Sequence, residues 1–174
     1  AATSRPARAT PGELALLDLQ VAEALVKLGD EGAIHGVRAA LYPARPEDLE
    51  ATALAVQVLG EVRDRASVSQ LVALSTYRDR TGQQMPAEVR MNVAIALAKM
   101  GKREGSFIAD EFRDNPQPVL RAQAAAVYGF ATADPTNLSK LERLLEDPEP
   151  MVRVAAAAGV IRATGEGSRR ASAP

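Results

Sequence analysis

The 174-residue chain contains no cysteine and no tryptophan, one histidine, three phenylalanines and three tyrosines. Without thiols there can be no disulfides, thiolate nucleophiles or cysteine-bound zinc. The same absence leaves the compartment open, because such a chain suits oxidising and reducing surroundings alike. A lone imidazole builds neither a triad nor a metal set, since both need further ligands or a positioned base. His35 is therefore expected to be a structural or surface residue. No apolar run approaches the roughly 20 residues of a membrane-crossing helix. A Gly-rich phosphate loop and a Gly-x-Ser-x-Gly elbow are both missing.

Charge of one sign is lacking too. The 21 basic and 22 acidic side chains nearly cancel and are dispersed, whereas nucleic-acid binders gather Lys and Arg on one face. The carboxylates form no isolated apolar pair of the kind that drives two pKa values apart. Asp110 and Glu111, adjacent on an expected helix, point about 100° apart. These absences predict a protein with no catalytic residues, no metal, no cofactor and no nucleic-acid partner. Scarce aromatics also require a core of Ala, Leu and Val, which suits helices packed at short distance.

What the chain does have is repetition. Asn115-Pro116-Gln117-Pro118-Val119-Leu120-Arg121 returns 32 residues later as Asp147-Pro148-Glu149-Pro150-Met151-Val152-Arg153, and a fixed period of that size marks stacked repeats. Thr10-Pro11-Gly12-Glu13 predicts a capped helix start with a capping box. The helix after it is expected to bury Leu17, Val21, Leu25 and Leu28 and to stop at Gly29. The same figure recurs as Leu49, Ala53, Val56 and Leu59 before Gly60, and as Val89, Val93, Leu97 and Met100 before Gly101. In later copies Thr132 and Thr164 hold the stop position.

Second helices are predicted over Ala33 to Leu41, Ser67 to Tyr77, Ser106 to Arg113 and Pro135 to Glu146, the last capped by Asp134. A final helix is predicted from Pro150 to Ala163. The stops lie 31, 41, 31 and 32 residues apart. The long interval locates an insertion at Tyr77 to Met85, which is expected to be a surface loop able to touch a partner. Residues 1–9 read as a flexible linker, which leaves exported and cytoplasmic locations both open. Residues 10–164 read as the repeat domain, and 165–174 as a disordered tail.

Asp-x-Pro before the helix, Val-Arg at its start (Val152-Arg153), an Ala-rich centre and a Leu-Gly or Met-Gly stop resemble HEAT repeats, in particular the short type found in phycobilisome lyases. The resemblance covers about residues 11 to 164 and implies an all-α, right-handed solenoid of about five helical hairpins. It also implies a ladder in which Arg90, Arg121 and Arg153 meet turn acids such as Asp114 and Asp147. It further implies a concave wall of second helices exposing Arg38, Gln70, Asp110, Lys140 and Arg143. With Tyr77 and Arg78 of the insertion, these form the expected binding surface for a protein or peptide. A non-catalytic scaffold is the leading expectation, and a small-ligand or chromophore-handling relative of the lyases is the alternative. The di-iron enzyme of similar architecture, deoxyhypusine hydroxylase, uses His-Glu pairs, and this sequence has none.

Overall fold

A computed structural model describes residues 9–42, 49–79, 81–132 and 134–171, with side chains to residue 165. Among these residues the chain is all-α. The helices are α1 (Pro11–Lys27), α2 (Ile34–Ala39), α3 (Leu49–Glu61), α4 (Val68–Thr76), α5 (Ala87–Lys99), α6 (Glu104–Asp110), α7 (Pro118–Phe130), α8 (Thr136–Leu144) and α9 (Pro150–Ala171). A single antiparallel bridge, Arg78 with Gln84, is the only β pairing among the described residues. Long first helices (α1, α3, α5, α7, α9) stack directly on one another; the shorter α2, α6 and α8 pack against the first helices on either side, and α4 packs against α5. Neighbours in sequence are thus neighbours in space.

Local chemistry sets the helix ends. The Thr10 hydroxyl accepts from the Glu13 N–H at 3.2 Å while the Glu13 carboxylate accepts from the Thr10 N–H at 2.7 Å, which completes the capping box. Gly29 and Gly101 close their helices with φ of +98° and +74°, a conformation that costs a Cβ-bearing residue free energy. Gly60, expected to do the same, does not. Helix α3 runs on to Glu61 and Arg63 takes the left-handed turn at φ 52°. Gly60 instead lets α5 approach: a Cβ there would lie 2.9 Å from the Ala96 Cα.

The core runs along the stack and is densest at α5, where Val89, Val93, Leu97 and Met100 are all buried. The expectation for α1 is corrected. Leu17 and Leu28 are 54% and 84% exposed, and Val21 and Leu25 are exposed as well. The buried residue of α1 is Leu19. The helix is apolar on two faces, and periodicity alone does not say which face meets a neighbour.

Buried polar groups tie layers together. The Thr52 hydroxyl donates to the Ala40 carbonyl at 2.9 Å, and Asn137 Nδ2 donates to Ser106 Oγ at 3.0 Å and to the Ala131 carbonyl at 2.9 Å. Asp134 accepts from the Thr136 N–H at 3.0 Å and so caps α8 from one residue before Pro135. At the other end α9 stays helical to Ala171, beyond the expected stop at Thr164. Nothing before Pro174 removes a backbone donor, and glycine within a helix costs only about 1 kcal/mol. Residues 172–174, like 1–8, lie outside the described residues.

Candidate functional site

The repeated cations form a clasp between layers. Arg121 grips Asp147 in a two-pronged pair, Nε to Oδ2 at 2.8 Å and Nη2 to Oδ1 at 2.9 Å, and Nη1 donates to the Asn115 carbonyl at 2.8 Å. Arg153 repeats the backbone half, donating from Nη1 to the Asp147 and Pro148 carbonyls at 2.9 and 2.8 Å. Arg90, almost wholly buried, donates to the Ser75 carbonyl at 3.2 Å and to Glu111 at 2.6 Å, with its guanidinium 5.2 Å from the Phe112 ring centre. Its acid is Glu111. Asp114, expected in that place, pairs with Arg113 beside it at 3.2 Å. The two-pronged hydrogen bond from Arg121, helped by the Glu149 N–H, holds the Asp147 carboxyl below its ordinary value.

Much of the expected binding row is consumed internally. Arg38 makes the same two-pronged pair with Asp64, at 2.8 and 2.7 Å, and that bond, with further donation from Ser67 and the Ala66 N–H, lowers the Asp64 pKa. Asp110 accepts from the Tyr128 hydroxyl at 2.8 Å and from Lys140 at 3.0 Å, while the Lys140 ammonium lies 5.0 Å from the Tyr128 ring centre. Burial, with the bond to Asp110, raises the Tyr128 pKa far above its usual range. Arg38, Asp110 and Lys140 are therefore internal fastenings, which corrects their placement as free surface. Arg143 remains exposed.

Gln70 and Tyr77 do come together. With Leu41, Tyr42, Ala73, Leu74 and Met85 they line a shelf of about 180 Å3 between α2, α4 and the insertion. Both tyrosines are exposed, Leu41, Leu74 and Met85 are buried beneath them, and Gln70 Oε1 is buried with no hydrogen-bond partner among the described residues. A buried acceptor left unpaired carries a desolvation cost of about 1–3 kcal/mol.

The insertion is a built turn. Asp79 Oδ1 accepts from the Thr81 N–H at 2.8 Å, the Thr81 hydroxyl at 2.6 Å and the Gln83 N–H at 2.9 Å. These bonds lower the Asp79 pKa, with the Thr81 hydroxyl first among them. Arg78 donates to the Gly82 carbonyl at 2.9 Å, so it braces the turn that carries Tyr77. Arg80 lies outside the described residues. Tyr42 was missed in the sequence because it follows the expected second helix and belongs to no repeated pattern.

A larger groove of about 470 Å3 lies across α1, α3 and α5, lined among others by Gln57, Asn92, Glu61 and Lys99. Its charges are already paired, Lys27 with Glu23 at 2.6 Å and Lys99 with Glu61. No motif or repeat in the sequence marks it. The described residues hold no cluster of three or more metal-ligating side chains, and none of their helices is long and apolar enough to cross a membrane. Compared with known proteins, the chain matches no family model and no curated protein, so the functional reading rests on its own residues.

Proposed function

We propose that the chain is a non-catalytic interaction scaffold, a HEAT-like solenoid that docks a protein or peptide segment on the Tyr42–Tyr77 shelf. The 32-residue repeat and the Arg–Asp clasps between layers support the architecture. The single observation that carries the function is the shelf itself: two exposed phenol rings over a buried apolar floor. Tyrosine concentrates binding energy at interfaces because it supplies large contact area at low entropic cost. The expected occupant is an extended segment that sets one apolar side chain on the shelf.

Peptides selected from a random displayed library against the intact protein provide the test. Calorimetry should find that Tyr77→Ala and Tyr42→Ala each weaken the selected peptides at least tenfold, about 1.4 kcal/mol. Selected peptides that bind both tyrosine variants as they bind wild type would overturn the assignment. The volume of the α1–α3–α5 groove, within the range of about 300–1,000 Å3 for small-molecule sites, favours a second reading in which a small polar ligand binds there. Its lining has no aromatic residue, which suits a polar ligand better than a chromophore.

A further inference from the structure

Both extremities of the stack present an apolar helix face that no described residue covers. On α1 and its cap, Leu14, Leu17, Val21, Leu25 and Leu28 are exposed at intervals of three, four, four and three residues. On α9, Met151, Val154, Ala158 and Ile161 are exposed at intervals of three, four and three, with Val154 and Ile161 at 70% and 72%. An exposed apolar side chain standing alone is ordinary, but a continuous stripe marks an interaction surface.

The two helices differ in charge. Glu23 and Lys27 of α1 pair with each other in the groove shared with α3 and α5, which leaves Glu13 and Asp18 as its unneutralised charges, a net −2. Residues 150–165 of α9 carry Arg153 and Arg162 and no acid, for a net +2. Arg153 adds a directed feature. In Arg121 the Nε and Nη2 donors hold a carboxylate of the next layer, whereas in Arg153 these two donors meet no acceptor among the described residues. The α9 end thus offers an apolar stripe beside a guanidinium with two donors open, and the α1 end offers an apolar stripe flanked by carboxylates.

We propose that α9 of one copy stacks on α1 of a second copy, head to tail. Both are first helices, so a parallel contact would continue the stacking that α7 makes on α9 within the chain. Pairing α9 with α9, or α1 with α1, would oppose like charges. An interface built from two different faces leaves one of each free and adds further copies in a row, so the assembly should lengthen with concentration.

Sedimentation of the full chain over a wide concentration range tests this, with two blocked variants altered only at exposed positions: Val154→Glu/Ile161→Glu on α9 and Leu17→Lys/Val21→Lys on α1. Circular dichroism checks that each remains folded. Wild type should form dimers and longer species. Each variant alone should associate at least tenfold more weakly. An equimolar mixture of the two should form a one-to-one dimer and stop there, because only one α1 face and one α9 face remain intact. A wild type that stays monomeric at every concentration overturns the proposal, as does a mixture that stays monomeric. A blocked variant that dimerises by itself overturns it too, since the contact would then join like faces.

Discussion

Arg121 and Arg153 hold matching places in successive first helices, yet among the described residues only Arg121 has a carboxylate to grip. Arg121→Ala should therefore lower the melting temperature more than Arg153→Ala, and a double-mutant cycle of Arg121 with Asp147 should show clear coupling. Equal losses from the two arginines would place the stabilisation in the shared backbone contacts instead. Asp64 makes a parallel case: it accepts two bonds from Arg38 and one from Ser67. Asp64→Ala should cost about 2 kcal/mol, in the range of about 1.5–3 for hydrogen bonds to charged groups, read by urea denaturation. Both carboxyls have lowered pKa values. Their stabilisation is complete above the unfolded carboxylate value of about 4 and is lost as pH falls through the lower folded values. Wild-type stability should accordingly drop below about pH 4, and the drop should shrink in an Asp64→Asn/Asp147→Asn variant. Asp147 was legible in the sequence because it heads the repeated Asp-Pro motif. Asp64 and Glu111 were not, because they belong to turns and helix ends that the motif does not mark.

Helices α7 and α9 meet through glycine. A Cβ on Gly129 would lie 2.5 Å from the Gly159 Cα, and backbone cannot rotate out of the way as a side chain can. Gly129→Ala gains about 1 kcal/mol of helix propensity, but overpacking costs about 1–3 kcal/mol; the variant should be net destabilised in a thermal melt. Gly165, with nothing within 4 Å, has the opposite expectation. Gly165→Ala should leave stability unchanged or raise it by up to about 1 kcal/mol. The number and order of the helices could be read from glycine stops and proline starts, and the second helices fell within a few residues of expectation. Which face of α1 is buried could not be read. Leu14, Leu17, Val21, Leu25 and Leu28 keep helical spacing as well as Leu16, Leu19 and Val26 do, and only the position of α2 and α3 decides between them. Gly60 misled for a related reason: glycine serves both as a helix stop and as a point of close approach, and the sequence writes the two identically.

Burial is graded along the whole stack. Eight residues of α5 are buried against one of α1, so local opening should be easiest at the N-terminal helix and hardest at the centre. Amide exchange should show protection rising from α1 to α5; uniform protection would mean that the layers unfold as a single unit. The Tyr42–Tyr77 shelf lies between these regimes, on the residues just after α2, on α4 and on a turn fastened by Asp79, and so has moderate local support. Because sequence neighbours are spatial neighbours, a chain held by its two ends would carry tension through one interlayer contact after another. Such a series fails at its weakest link. Under load the molecule should lengthen in steps, shedding α1 and α2 first while α5 and α7 hold, and so behave as a compliant spring with a soft end and a stiff middle.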